Sequence, residues 1–165
     1  MKRVKTAEEV INSSLLKPGS RVYASGNAAT PQIFFRQLAA DGAIREIDLM
    51  GVLYLGNVGD LFSEVNCRRI THRIIFNGHH TREAANKGWA KYQLMHLGDI
   101  PMQVREYFKP DVALISVAGP DTGGNYSLGT TVEGVMAAVE TVRAQGGLII
   151  AERNAQMPFV LGETV

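Results

Sequence analysis

Short apolar runs alternate along this chain with segments whose apolar residues recur at helical spacing. The first helical segment follows Thr6-x-x-Glu9, a capping box in which hydroxyl and carboxylate each satisfy a free N–H of the first turn, and it ends before "KPGS". "RVYAS" (21–25) predicts a strand feeding the small-residue loop "GNAAT". Pro31 suits the first position of a helix, which Ile33, Phe34 and Leu38 carry to about Ala40. "IDLMGVLYL" and "RIIFN" (73–77) predict two further strands. Thr81 can cap "REAANKG", and Pro101 opens "PMQVREYF", which stops at Pro110. "DVALISVAG" is continuously apolar, as parallel strands buried on both faces are. Thr130 and Glu133 make a second capping box ahead of one apolar stripe, Val132, Val135, Met136 and Val139, which Gly146 and Gly147 end. "LIIAE" is the last strand, and residues 56–73 carry only weak periodicity.

Strands alternating with helices in this way predict βαβ units on a mostly parallel sheet. The expected fold is a single α/β domain over residues 1–165, a three-layer open sheet with helices on both faces. Ligands of such sheets sit at the carboxyl ends of the strands, so the loops 25–30, 77–81 and 118–130 become the candidates.

Composition narrows the function classes. The 165 residues are 45% apolar and 20% charged with a formal charge of +1, which gives no reason to expect nucleic acid or an anionic membrane as partner. Cys67 is the sole cysteine, so no intrachain disulfide forms, in keeping with a reducing compartment. The amino-terminal stretch lacks a signal-peptide apolar core, and no run approaches the roughly 18 apolar residues of a membrane span. A cytoplasmic protein is expected.

Familiar nucleotide motifs are ruled out by their missing parts. In "GPDTGGNYSLG", Gly119 and Gly124 have P-loop spacing, but Asn125 and Tyr126 stand where Lys and Ser/Thr must reach phosphate and magnesium. The spacing G-x-G-x-x-G does not occur. Ser25 and Ser127 are possible nucleophiles but lie outside any G-x-S-x-G elbow, and serines in such loops are more often turn or cap residues. His79 and His80 have no Cys or carboxylate at zinc-site spacing, so no metal is expected. Asn154 and Gln156 follow the last strand, where amides can bond a ligand carboxylate or thioester carbonyl, or equally the neighbouring backbone. The glycines of the long loop can serve a turn alone.

Taken together, four segments resemble the amino-terminal half of the acetyl-CoA hydrolase/transferase family, which includes 4-hydroxybutyrate and acetate CoA-transferases. They are "LLKPGSRVYASGNAATP", "FNGHHTREAANKGWAKYQLMHLGDIP", "DVALISVAGPDTGGNYSLGTTVE" and "LIIAERNAQMPFVLGET". The last two are long and specific, and the resemblance spans essentially the whole chain. It implies two similar open α/β domains with the active site between them. It also implies ping-pong transfer of CoA between carboxylates through an anhydride and a glutamyl-CoA thioester. Covalent catalysis there divides one hard exchange into easier, nearly balanced steps, and water must be kept out for transfer rather than hydrolysis.

The resemblance places the nucleophilic glutamate and the glycine-rich CoA loop in a carboxyl-terminal half. No glutamate here matches the motif; Glu133 opens a helix and Glu152 follows a strand, so no catalytic residue is assigned. The chain is expected to be a first domain, whether a fragment, a remnant or a separate subunit, with Gly162 and Glu163 near the connection to the next. Coenzyme A enters as a substrate moiety, with no resident cofactor. Gly26, Asn27 and Ala28 would offer amides to an acyl-CoA or small carboxylate, and Asp121, Ser127, Gly129, Asn154 and Gln156 would wall the pocket. An apolar face left for the second domain implies self-association, a homo-oligomer. An acetyl-CoA hydrolase half and a non-catalytic ligand-binding domain remain alternatives.

Overall fold

The computed structural model describes residues 5–130, 133–162 and 165, and among them six strands: Arg21–Ala24 (β1), Ile47–Gly51 (β2), Ile70–Ile74 (β3), Lys91–Tyr92 (β4), Val112–Val117 (β5) and Leu148–Arg153 (β6). They form one sheet in the order β4-β3-β2-β1-β5-β6, every pair parallel. The helices are Ala7–Val10 (α1), Gln32–Ala40 (α2), Glu64–Arg69 (α3), Arg82–Asn86 (α4), Ile100–Met102 (α5) and Val135–Ala144 (α6). α5 runs on as π-helical turns over Gln103–Phe108.

Successive side chains of a strand point to opposite faces, and the core divides accordingly. Val22, Ala24, Leu49, Ile70, Ile74 and Leu114 pack on one face against Phe34, Phe35 and Leu38 of α2, with Phe62 and Ala84. Tyr23, Met50, Ala113, Ile115 and Val117 face the other way, onto Val104, Phe108 and the α6 residues Val135, Val139 and Val142. This is the expected three-layer α/β architecture. β5 is interior, between β1 and β6, and Val112, Leu114, Ile115 and Val117 are all buried. The Thr6–Glu9 capping box forms as read.

From β1 the chain winds outward through β2, β3 and β4, then crosses back to β5 and continues to β6 on the opposite side. The strand order therefore reverses between β1 and β5, and a crevice opens at such a switch point, outside the carboxyl ends of the two strands. At the opposite end of the seam, Asp111 accepts from the Arg21 backbone N–H at 2.9 Å and from its guanidinium at 3.3 and 3.2 Å.

Three local readings need correction. β3 runs over Ile70–Ile74, not 73–77, because Ile70, His72 and Ile74 point inward while Thr71 and Arg73 are only half-buried. Beyond it Ile75 and Phe76 still donate to the Gly51 and Val52 carbonyls, at 3.2 and 2.8 Å, but the strand has ended and the Phe76 side chain is 59% exposed. The Thr130–Glu133 capping box does not form: α6 begins at Val135 behind Gly134, and the Glu133 carboxylate is engaged by Asn27 instead. Thr81 precedes α4 without a side-chain cap, its hydroxyl donating to Asn77 Oδ1 at 3.2 Å and the Gly78 carbonyl at 3.3 Å. Val132 of the expected stripe and Glu163 of the expected connection lie outside the described residues. No helix among the described residues is long and apolar enough to cross a membrane.

Candidate functional site

The turn after β1 forms one lip of the β1/β5 crevice. Ser25, 1% exposed, ties it down: its hydroxyl donates to the Ala29 carbonyl at 2.6 Å and accepts from the Ser116 N–H of β5 at 3.1 Å. The turn is also fastened to the segment after β2. Asn27 N–H donates to the Leu53 carbonyl at 2.7 Å, and Thr30 Oγ1 accepts from Leu55 N–H at 3.1 Å while donating to the Asn27 carbonyl at 2.8 Å. The bonds that pin the turn use the N–H groups of Asn27, Ala29 and Thr30 and leave out those of Gly26 and Ala28. Ala28 is exposed and Asn27 half-buried.

Glu133, immediately before α6, forms the other lip. Its Oε1 accepts from Asn27 Nδ2 across 106 residues of chain. Both residues have left-handed backbones, φ 47 at Asn27 and φ 28 at Glu133. Asparagine tolerates that region, but for a glutamate it costs roughly 1–2 kcal/mol. Glu133 Oε2 is buried with no hydrogen-bond partner among the described residues. Burial pushes the carboxyl up to about 7, with the Asn27 hydrogen bond pulling in the opposite direction.

Two tyrosines stand beside it. Tyr23 Oη, from β1, accepts from the Gly134 N–H at 3.2 Å, and Tyr54 Oη is buried without a partner. Burial holds both phenols well above their ordinary range, reinforced by Glu133 at Tyr23 and by Tyr23 and then Glu133 at Tyr54, so they remain neutral hydroxyls. The carboxyl end of the β1/β5 seam thus gathers the half-buried Asn27 amide and the Gly26 and Ala28 N–H groups, which have no backbone partner among the described residues, beside a buried carboxyl oxygen and two buried neutral phenols. Amide N–H groups of this kind can donate to a carboxylate or a carbonyl oxygen.

The other candidates are partly spent on their own loops. Asp121 is exposed, and its Oδ1 accepts from Gly123 N–H at 2.8 Å and Asn125 N–H at 2.9 Å, which lowers its carboxyl from the ordinary range. Ser127, 2% exposed, donates to the Val160 carbonyl at 3.0 Å and accepts from the N–H groups of Gly129 and Val160. It thereby joins the loop after β5 to the loop after β6. Gly129 (φ 66) packs so closely on Met157 that an added Cβ would lie 2.3 Å from its sulfur. Asn154 accepts from Gln156 N–H at 2.9 Å, closing a turn on which the Gln156 side chain is exposed. Glu152 accepts from Ile33 N–H at 3.1 Å at the start of α2, where a helix favours a carboxylate. His79 and His80 contact each other edge to face, ring centroids 5.2 Å apart. No cluster of three or more His, Cys, Asp or Glu among the described residues could hold a metal ion. Burial pushes the Cys67 thiol up to about 11, leaving it little thiolate at neutral pH.

Sequence reasoning passed over Glu133, Tyr23 and Tyr54. Glu133 carried a helix-start motif, and the tyrosines lie within apolar runs. The available signal was the switch-point topology, which brings the end of β1 to the loop after β5.

Gly26 is required sterically. An added Cβ would lie 2.4 Å from the Leu53 carbonyl oxygen, a backbone atom that the Asn27 hydrogen bond already fixes. Gly26→Ala should destabilise the fold by about 1–3 kcal/mol and loosen the crevice lip, measured as a lower urea midpoint. An unchanged midpoint would show that the segment after β2 yields freely.

A family model described as the acetyl-CoA hydrolase/transferase N-terminal domain matches residues 1–164. A succinyl-CoA:acetate/propanoyl-CoA:succinate CoA transferase of Fasciola hepatica is 30% identical over 152 residues, covering 90% of this chain and 30% of that protein. A 4-hydroxybutyrate coenzyme A transferase of Clostridium kluyveri is 33% identical over 119 residues, covering 72% of this chain and 27% of that protein. Among solved structures, RipA from Yersinia pestis superposes with a TM-score of 0.84 at 22% identity, over 96% of this chain and 38% of RipA. The chain therefore spans about a third of the length of the relatives it matches.

Proposed function

The chain belongs to the acetyl-CoA hydrolase/transferase family, as its N-terminal domain, and we propose that it is the substrate-side half of a CoA-transferase moving CoA between a short acyl-CoA and a small carboxylate. The observation that carries this reading is the match of the family model to residues 1–164. The β1/β5 crevice supports it with a fitting donor set: the Gly26 and Ala28 N–H groups and the Asn27 amide suit a carboxylate or thioester oxygen. In this reading the loop 118–130 walls the pocket, held against the loop after β6 by Ser127. The attacking glutamate comes from a second domain, and coenzyme A is a substrate moiety.

A domain packed over the strand ends would also cover apolar side chains there. Leu55, after β2, is 46% exposed and Phe76, after β3, is 59% exposed. Self-association through that face, as a homo-oligomer, is the expected behaviour while it is bare.

The division of labour predicts that the chain alone is inactive, because orientation without a nucleophile leaves thioester exchange largely uncatalysed. Purified chain incubated with acetyl-CoA and acetate or 4-hydroxybutyrate should show neither exchange nor a CoA adduct by intact mass. The carboxyl-terminal half of the C. kluyveri relative, added in trans, should restore exchange. Restored hydrolysis without exchange would make water the acceptor. A glutamyl-CoA adduct on the isolated chain would overturn the proposal.

A further inference from the structure

Glu133 combines features that sheet packing alone does not call for: a left-handed backbone, a buried carboxyl, and an Oε2 with no partner among the described residues. Its hydrogen-bond partner among the described residues, Asn27, is also left-handed and lies on the opposite lip of the crevice. Costly conformations of this kind persist where the surroundings enforce them and cluster at ligand-binding sites. The bond also spans the switch point, where an open α/β sheet places its ligand.

We propose that Glu133 is a proton-linked positioning residue: in its neutral form it orients the Asn27 amide and lets the turn 26–28 accept a small monocarboxylate at the mouth of the β1/β5 crevice. This rests on the carboxylate reading given above and adds the group that regulates it. Asn27 Nδ2 has two hydrogens; Glu133 Oε1 takes one, which leaves the other, with the Gly26 and Ala28 N–H groups, for a ligand oxygen. An ionised Glu133 would set a second negative charge one side chain away from that ligand, in a half-desolvated site where like charges repel strongly. The titratable groups that face Glu133 are Tyr23 from β1 and Tyr54 from the segment after β2, both neutral hydroxyls, and no cation acts on it among the described residues. Carboxylate binding and ionisation of Glu133 therefore compete, and burial places that competition near pH 7. By linkage, binding on the alkaline side takes up one proton.

The test is to titrate acetate and butyrate into the chain from about pH 5.5 to about pH 8.5, a window that brackets the expected transition, and to read the dissociation constant at each pH. Wild-type affinity should be constant on the acid side and fall about tenfold per pH unit above the transition. Glu133→Gln, a permanently neutral isostere that keeps an acceptor for Asn27, should bind with the wild-type acid-limb affinity at every pH. A merely structural glutamate would produce no such slope. A flat wild-type profile, or a slope that survives in Glu133→Gln and so belongs to other groups, would remove Glu133 while leaving the carboxylate site standing. Failure of both acids to bind either protein at any pH would overturn the site itself, and Glu133's role with it.

Discussion

Lowering the pH from about 7 toward 4.5 should cost the protein several kcal/mol through one side chain, His72, and His72→Leu should remove that loss. The imidazole is 1% exposed on β3, stacked at a tilt on Phe62 with ring centroids 4.8 Å apart, and neither ring nitrogen has a hydrogen-bond partner. Burial, followed by the nearby Arg69 charge, pushes its pKa down to about 3; the Leu61 carbonyl pulls the other way without reaching hydrogen-bond geometry. The unfolded chain takes up this proton below about 6.5, while the folded chain refuses it down to about 3. Stability from a neutral His72 is thus complete above 6.5 and is lost as pH falls, by roughly 2–3 kcal/mol at pH 4.5 and about 4 kcal/mol at pH 3. Glu133 works in the opposite sense. Its folded pKa is raised to about 7 from 4.5, so its contribution is full below 4.5 and is lost as pH rises through 7. Solvent that still reaches that side chain reduces the effect to about 1–2 kcal/mol. The wild-type profile will be flatter than either group alone, and the two variants separate them. Urea midpoints from pH 7.5 to about 4.5 should fall less in His72→Leu than in wild type, and further than wild type in Glu133→Gln. A His72→Leu profile parallel to wild type would mean that the histidine is hydrated in solution.

Leu114→Ala should be the most damaging single truncation in β5, at about 2–5 kcal/mol, a large share of the roughly 5–15 kcal/mol that holds a domain of this kind together. Leu114 is fully buried, its Cα paired in register with Ala24 of β1 and Ile150 of β6. Its carbonyl accepts from Ser25 N–H at 2.9 Å, just below the crevice lip. A cavity there lies in a strand that flanks the switch point, directly beside β1. The urea midpoint should drop with the m-value unchanged. A loss under about 1 kcal/mol would show that α2 and β6 collapse into the space.

How far the sequence was readable depended on the range of the forces involved. β5 was readable because "VALISV" has no charged interruption, and a strand buried on both faces needs none. β3 starts three residues earlier than its apolar pattern suggests because its buried positions include His72, which reads as polar, while the "IIF" run straddles its end. The turn 25–30 was found because strand, small residues and Pro31 in succession describe a local geometry. The Asn27–Glu133 bond was not, since its partners are 106 residues apart and Glu133 also satisfies a local capping pattern. Where a residue fits two arrangements, the tertiary one prevails if it joins two elements that the fold already holds together. Asp121, Ser127 and Asn154 show the reverse: polar types that mark a ligand loop also close such a loop on itself, and Ser127 ties it to the next loop as well.

The reversal of strand order between β1 and β5 also sets the timetable of folding. Arg21 meets Asp111 across 90 residues, whereas Arg73 meets Asp48 across 25. Loop-closure entropy grows with the length enclosed, and long-range parallel pairing slows folding. The β1–β2–β3 unit can therefore assemble early, with β1 as a temporary edge. The seam with β5 closes late. Both lips of the crevice come from opposite sides of that seam, so no half-assembled chain presents a competent site. Ligand that favours the closed seam stabilises the last step, and refolding in high acetate should speed the final phase if the seam is already docked in its transition state.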